Sequence, residues 1–303
     1  MAKTPAVSNQ PGSTKPCGDG EWRGASFASR TWKQLVKNRS AMCGLVVVSF
    51  VVLIAVLAPQ VAPYDPLKVN FERMMEAPSR DHLMGTDWIG RDVLSRMIVG
   101  SRLSLTVGFI SVGIGLSGGT ILGLSAAFYP RLDNIIMRLI DILMAFPGTL
   151  LCIAVVALLG PSLHNAMIAV GVTAIPGYSR MVRGTALTVR STDYVESARA
   201  LGASDLRIMI RHMFPNMLAP ILVMVTFGLA GSVLAAAGLS FLGLGAQPPH
   251  PEWGLMISEG RRYMLKAPWL VLAPGITITV MILGFNLLGD GLRDALDPRL
   301  HGR

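Results

Sequence analysis

Long charge-free runs of apolar residues are the feature that most limits how this chain can fold. About 20 apolar residues cross a bilayer as a helix, and in lipid a helix satisfies every backbone polar group internally. Five such runs are present: Ala41–Ala62, Leu103–Tyr129, Ile142–Ser179, Met213–Gln247 and Ala267–Gly289. Ile142–Ser179 is too long for one helix, and Gly160-Pro161 divides it into two. The sequence therefore predicts an all-α polytopic membrane protein with six transmembrane helices.

The composition agrees with that class. Of 303 residues, 51% are hydrophobic and 15% are charged, as is typical of an integral membrane protein. The formal net charge of +9 could indicate a nucleic-acid partner. Most of the excess lies in segments predicted to be cytoplasmic, so membrane topology explains it and we expect no nucleic-acid partner.

The basic residues also predict the orientation of the spans. Five of them precede the first span and place the N-terminus in the cytoplasm: Arg23, Arg30, Lys33, Lys37 and Arg39. Six spans then place residues 190–215 and the C-terminal tail in the cytoplasm. The connection at Gly160–Asn165 falls outside and has no Lys or Arg.

The spans divide the chain into a cytoplasmic tail, a first transmembrane helix, an extracytoplasmic loop with an interfacial helix, a five-helix core and a cytoplasmic C-terminal tail, at residues 1–40, 41–62, 63–102, 103–292 and 293–303. Residues 1–29 are rich in Pro, Gly, Ser and Thr, which predicts disorder, and they lack the apolar core of a signal peptide. We therefore expect the first span to remain as an anchor. Cys17, Cys43 and Cys152 have no pair spacing, so neither a disulfide framework nor a metal site is expected.

The polar segment Asp193–Pro215 separates two apolar runs and has the pattern of two short helices. Asp193 can cap the first helix with Glu196 at the third position, and Gly202 suits its C-terminal turn. Ser204 can cap the second helix.

The second helix of this segment is predicted to be amphipathic. Four apolar residues recur at helical spacing, opposite Arg207 and Arg211: Leu206, Met209, Ile210 and Met213. Pro215 allows no clean continuation of that helix. Such a knob could dock in a protein groove, or it could lie on the lipid surface with its arginines facing anionic headgroups.

The same segment resembles the EAA loop, the cytoplasmic segment by which permease subunits of bacterial ABC importers bind their ATPases. Glu196-Ser197-Ala198, followed by Gly202 and Phe214-Pro215, carries the resemblance. It implies an ATPase-coupling role for ten residues: Glu196, Ser197, Ala198, Gly202, Ala203, Ser204, Asp205, Arg207, His212 and Pro215. Peptide-type members of the family commonly have His at the position of His212.

The resemblance covers almost the whole chain apart from the first thirty residues. HLMGTDWIGRDVLSRMIVGSRLSL, TWKQLVKNRSAMCGLVVV, APYDP, FLGLGAQPP and NLLGDGLRDALDPRL together resemble the second, C-type permease subunit of dipeptide, oligopeptide and nickel ABC importers. It implies the type I importer permease (MetI-like) fold in the bacterial inner membrane. It also implies di- or oligopeptide substrates, including glutathione-like tripeptides, ahead of nickel complexes.

That resemblance further implies a sister permease subunit, two ATPase subunits or domains and an extracytoplasmic substrate-binding protein. The chain has no GxxxxGK[ST], HExxH or CxxC motif, so no catalytic, cofactor or metal site is expected in it, and ATP and Mg²⁺ would be bound by the ATPases. Its predicted spans have no acidic or basic residue through their centres. This argues against an ion-coupled secondary carrier, and the lack of a nucleophile–base or metal constellation argues against a membrane-embedded enzyme.

The histidines add no metal site to that prediction. We expect His82, His250 and His301 to face solvent and His164 to lie in a short outer turn. None of the five histidines has a partner at ligand spacing.

The segment before the second span has a structural and a functional interpretation. Asp92 can cap a helix or pair with Arg96, and the apolar stripe Val93, Met97 and Ile98 predicts that Asp92–Val99 lies along the outer membrane surface. The alternative is a contact with the substrate-delivering protein. The structural role is favoured because the Asp and Arg residues can satisfy one another.

Small residues recur every fourth position in the second span, at Ser111, Gly115, Gly119, Gly123 and Ala127. Such a stripe lets helix backbones approach closely and predicts a packing seam, either within the subunit or with a partner. Pro147 and Pro176-Gly177 are expected to bend the third and fourth spans.

Overall fold

The computed structural model describes residue 32 and residues 34–296, and this part of the chain is helical without a β-strand. Nine helices of eight or more residues lie within it: α1 (Arg39–Val61), α2 (Val93–Phe128), α3 (Pro130–Met144), α4 (Gly148–Leu159), α5 (Leu163–Arg190), α6 (Asp193–Ala200), α7 (Phe214–Phe241), α8 (Trp253–Gly260) and α9 (Trp269–Leu296). The predictions made for residues 1–29, Cys17 and His301 lie outside the described residues.

Four helical segments of the described chain are long and apolar enough to cross a membrane: α1, α2, α9 and Asp205–Phe241, which includes α7. The pair α3 and α4, bent by 92°, would be a fifth. The remaining predicted span corresponds to α5, which is 28 residues long but polar at both ends. We predicted that this span stops at Ser179, whereas α5 continues through Arg180 and Arg183 to Arg190. The all-α membrane fold is confirmed, with four or five spans evident from hydropathy.

The predicted bend at Pro147 is a complete break between two helices. α3 ends at Met144 and α4 begins at Gly148, with Pro147 as the residue that precedes it. Proline lacks an N–H and disfavours helical geometry in the residue before it, which stops α3. The 12 residues of α4 extend only about 18 Å, too short for the roughly 30 Å of bilayer hydrocarbon. Pro176, in contrast, lies inside the continuous helix α5.

The small-residue stripe of α2 is buried against α5 of the same chain. A Cβ atom on Gly119 would collide with Tyr178, and one on Gly123 would lie 2.5 Å from the Ser179 carbonyl oxygen. At the ends of the stripe, Ser111 Oγ donates to the Met167 carbonyl oxygen at 3.0 Å and Ala127 is buried. The stripe therefore forms a seam within the subunit, which decides the alternative that the sequence left open.

The other helices enclose this pair. α1 runs along α9, where Gly44 lies against the backbone of Gly284 and Leu288. The short helix α8 covers the beginning of α2, and Trp253 Nε1 donates to the Met97 carbonyl oxygen at 3.0 Å. The Trp253 hydrogen bond therefore joins α8 to the beginning of α2.

The seam gives a matched pair of stability predictions. We expect Gly119→Ala to destabilise the protein by about 1–3 kcal/mol, because the added methyl group overpacks against Tyr178. Gly113→Ala, on the same helix with no atom within 4 Å of the added Cβ, should be neutral or stabilising by up to about 1 kcal/mol. Thermal unfolding of the detergent-solubilised protein measures both. Equal melting temperatures for the two variants would show that the seam is not tightly packed.

Candidate functional site

Most of the predicted functional residues lie near the two ends of α2. Its 36 residues extend about 54 Å, so the two ends are far apart. Residues 62–92, here the 62–92 loop, surround the first turn of α2. Residues 190–215, here the 190–215 loop, pack beside its last turn.

A compact apolar cluster anchors the 190–215 loop. Five of its side chains are buried together with Phe128 at the end of α2: Val195, Ala198, Ile208, Met209 and Met213. The guanidinium carbons of Arg190 and Arg199 lie 6.0 and 5.5 Å from the centre of the Phe128 ring. Arg190 Nη1 also donates to the Ala127 carbonyl oxygen at 2.7 Å. The side of the loop that packs against α2 is therefore part of the protein core.

Gly202 forms the turn that ends α6. Its φ is +77°, a left-handed conformation that side chains other than glycine rarely adopt. The Ala203 N–H donates to the Ala198 carbonyl oxygen at 3.1 Å, which closes the helix end in the manner of a Schellman motif. The predicted capping residue of α6 was wrong by one position, since Thr192 is the N-cap and Asp193 is the first helical residue.

The second helix of the loop differs from the prediction. Only Asp205–Arg207 is α-helical, and Ile208–Met213 forms a π-helix that leads directly into α7. The wider turn changes which residues face inward, so Ile208 is buried while Leu206 and Ile210 are exposed. Pro215 does not end the helical segment, because it lies in the first turn of α7 after the π-helix.

The outer surface of the loop exposes apolar residues among charged ones. Leu201, Leu206 and Ile210 are 87%, 63% and 59% exposed. Among the residues of the EAA resemblance, seven are exposed: Glu196, Ser197, Gly202, Ser204, Asp205, Arg207 and Pro215. Ala203 and His212 are partly buried, and Ala198 is buried. Exposed apolar side chains bordered by charge are typical of a surface that contacts a protein or a membrane.

At the other end of α2, two buried arginines share two carboxylates. Arg91 Nε donates to Asp87 Oδ2 at 2.5 Å, and Arg91 Nη2 donates to Glu259 Oε2 at 3.2 Å. Arg96 Nη2 donates to the same Glu259 oxygen at 3.2 Å. An Asp–Arg pair inside the segment does form, between Asp87 and Arg91, whereas Asp92 caps α2 instead of pairing with Arg96. The local sequence gave no signal for Glu259, which lies 163 residues after Arg96 on α8.

Two predictions for the segment before the second span were wrong. Asp92–Val99 is not a separate surface helix, because Asp92 caps α2 and the following residues are its first two turns. The apolar stripe of this stretch faces other parts of the protein, as Val93 and Met97 are buried. His82 is buried instead of solvent-facing, and its Nδ1 lies 2.8 Å from Asp92 Oδ1.

Glu252, just before α8, is a buried carboxyl that the sequence did not single out. It accepts the N–H groups of Gly254 and Leu255 at 3.0 and 2.8 Å and so caps α8. Burial raises the pKa of the Glu252 carboxyl, while the hydrogen bonds oppose that shift. Its contribution to stability is therefore complete below the ordinary pKa of glutamate and is lost as the pH rises through the raised value.

Among the described residues, no group of three or more His, Cys, Asp or Glu could hold a metal ion.

Comparison with known proteins identifies the family. Residues 119–302, more than half of the chain, match the family described as binding-protein-dependent transport system inner membrane component. The chain belongs to this family of permeases. Residues 26–78 also match the family described as N-terminal TM domain of oligopeptide transport permease C. The resemblance to a C-type ABC permease subunit is thereby confirmed.

The relatives of this permease match most of its length. It is 44% identical to the dipeptide transport system permease protein DppC of Alkalihalophilus pseudofirmus. The match extends over 297 residues, which are 98% of this chain and 97% of that protein. It is 46% identical over 287 residues to DppC of Haemophilus influenzae, covering 91% and 97%. It is 45% identical over 271 residues to the glutathione transport system permease protein GsiD of Pectobacterium atrosepticum, covering 89% and 90%.

The fold of the permease is similar to that of a solved transporter. An inward-facing structure of the MetNI methionine ABC transporter matches with a TM-score of 0.52 and 20% identity, covering 68% of this chain and 94% of that one. The predicted MetI-like fold is confirmed.

The buried ion cluster of the permease gives a second stability prediction. We expect Glu259→Gln to destabilise the protein by about 3–5 kcal/mol, because two buried guanidinium groups would then share only Asp87. Asp81→Asn removes the exposed partner of Arg73 and serves as the control, with little expected effect. Urea or thermal unfolding measures both. If Asp81→Asn lowered the free energy of unfolding by the same amount, burial would not determine the cost of breaking an ion pair.

Proposed function

We propose that this permease is one of two membrane subunits of an ATP-driven, binding-protein-dependent importer for di- or oligopeptides, including glutathione-like peptides. The names of its relatives, which are dipeptide and glutathione permeases, support the peptide class. Its partners would be a sister permease, two ATPase subunits or domains and an extracytoplasmic binding protein. ATP and Mg²⁺ would be bound by the ATPases, and this chain would have no ATPase site or cofactor of its own.

The observation that carries the proposal is the asymmetry of the 190–215 loop. Its inner side is anchored by buried residues beneath α6, while its outer side exposes Leu201, Leu206 and Ile210 among charged side chains. An amphipathic knob of this kind suits a hydrophobic groove on a partner protein. Because Phe128 of α2 lies in the anchoring cluster, a partner that moves the loop would move the ends of α2, α5 and α7 together.

That connection suggests how ATP hydrolysis would drive transport. Closure of the ATPases would displace the docked loop, and the helices packed beneath it would follow as a rigid group. Repeated displacement would alternate the pathway between outward-open and inward-open states. The charge distribution supports an orientation with the 190–215 loop and both termini in the cytoplasm.

Gly202→Arg tests the docking role. The substitution should leave membrane insertion intact, because no atom lies within 4 Å of a Cβ at this exposed position. It should abolish transport, because arginine strains a backbone with φ of +77° and places a large charged group on the docking surface.

Co-purification with the ATPase subunits measures docking, and substrate-stimulated ATP hydrolysis measures coupling. Gly202→Asn is the control, since asparagine tolerates the left-handed conformation and is small. If the arginine variant retained both the complex and substrate-stimulated ATP hydrolysis, Gly202 would have no coupling role.

The orientation is tested by thiol labelling of intact cells. A cysteine that replaces Ser162 should react with an impermeant thiol reagent added outside, whereas one that replaces Ser204 should react only after permeabilisation. External labelling at position 204 would contradict both the orientation and the ATPase-docking role.

A further inference from the structure

The turn between α8 and α9, residues 261–266 and here the 261–266 turn, has an apolar tip. Leu265 is fully exposed and Met264 is 53% exposed. The Lys266 N–H donates to the Tyr263 carbonyl oxygen at 2.9 Å, so the tip belongs to a hydrogen-bonded turn. Single exposed apolar residues are common on proteins. The charge and the membrane depth of the turn therefore decide what its tip contacts.

Two basic residues beside the tip have no partner within the described part of the chain. Arg262 and Lys266 are exposed, and neither side chain forms an ion pair or a hydrogen bond with another described residue. Arg91 and Arg96, which lie at the same end of α2, both donate to Glu259 instead. The 261–266 turn thus carries positive charge that no described carboxylate neutralises.

The length of α9 places this turn at the membrane surface. The helix has no charged residue before Asp290. Roughly 30 Å of bilayer hydrocarbon corresponds to about 20 helical residues, which extend from Gly289 back to Leu270. Helical hydrogen bonding already begins at Ala267, whose carbonyl oxygen accepts the Leu270 N–H. The turn therefore ends about 6 Å beyond the hydrocarbon, within a headgroup layer of about 5–8 Å on each side.

The same geometry decides which membrane surface the turn lies on. Trp253 of α8 is bonded to Met97 in the second turn of α2, and the 261–266 turn follows α8 directly. The 190–215 loop packs beside the last turn of α2, at the other end of that helix. The 261–266 turn is therefore on the membrane surface opposite the 190–215 loop.

A groove beside the turn has side chains that suit a phosphate group. Its volume is about 240 Å³, and its lining includes Arg261, Arg262, Trp88 and Tyr263. The rings of Trp88 and Tyr263 stack with their centres 6.5 Å apart. Tryptophan and tyrosine are enriched at the level of lipid headgroups. Glu259 also lines the groove, but two buried arginines already bind its carboxylate.

We propose that the 261–266 turn binds anionic phospholipids on the membrane surface opposite the 190–215 loop. Leu265 and Met264 enter the upper acyl region, while Arg262 and Lys266 bind the lipid phosphates. Interfacial segments bind anionic bilayers through this combination of buried apolar area and basic charge. The depth of the turn favours lipid over an acidic protein as the occupant. This inference does not depend on which substrate is transported.

Quenching by spin-labelled lipid tests the depth of the tip. The full-length permease, with its native cysteines replaced, carries an environment-sensitive fluorophore on Leu265→Cys and is placed in nanodiscs. Lipids with a nitroxide in the upper acyl chain should remove most of the fluorescence at position 265. Arg80→Cys, an exposed position within the 62–92 loop between exposed Ser79 and Asp81, is the control and should lose little.

The charge is tested by Arg262→Gln combined with Lys266→Gln. The nitroxide is carried either by phosphatidylglycerol or by phosphatidylcholine, and the wild type should bind the labelled phosphatidylglycerol more tightly. That preference should fall about fivefold for each basic residue removed. Arg80→Gln is the matched control and should keep the preference. All of these variants should melt at the wild-type temperature in detergent, because the replaced side chains are exposed.

Three results would overturn the proposal. Fluorescence at position 265 that no labelled lipid quenches would show that the tip does not contact lipid. Protection of that position from a soluble quencher only after the extracytoplasmic binding protein is added would identify a protein contact instead. Equal quenching by both labelled lipids in the wild type would show that the turn does not recognise anionic headgroups.

Discussion

The close approach of α2 and α5 is the constraint on which the rest of the structure depends. Lipid offers no hydrophobic drive for helices to associate, so backbone packing and hydrogen bonds must hold them together. Gly119 and Gly123 allow α5 to lie directly on α2, and the end of α5 then brings Arg190 to the carbonyl oxygen of Ala127 and the ring of Phe128. The position of the 190–215 loop follows from that contact.

The two ends of α2 differ in the kind of residues that surround them. At its beginning, Arg91, Arg96, Asp87 and Glu259 bury their charges against one another, and breaking such a cluster is costly because it leaves a buried charge without a partner. At its end, the loop buries one side and exposes Leu201 and Leu206 on the other. One end of α2 is therefore held by buried charges, while the other lies beneath an exposed apolar surface.

The sequence predicted features set by local chemistry and missed those set by distant contacts. Gly202 was placed correctly in a helix-ending turn because its left-handed conformation has a direct residue preference. Glu259 was missed because no spacing rule connects it to Arg96. His82 was misplaced because the local pattern did not indicate that the loop would bury it beside Asp92. The α-helical period predicted the wrong inward face for this stretch, because Ile208–Met213 is a π-helix and its turns are wider.

Reconstitution into proteoliposomes tests the central claim that this chain is half of a pathway driven through its 190–215 loop. The account predicts peptide uptake only when the sister permease, the ATPases, the binding protein and ATP are all present with this chain. It also predicts that the chain alone neither hydrolyses ATP nor transports. Uptake by the purified chain driven by a proton or sodium gradient would contradict the account and favour an ion-coupled carrier.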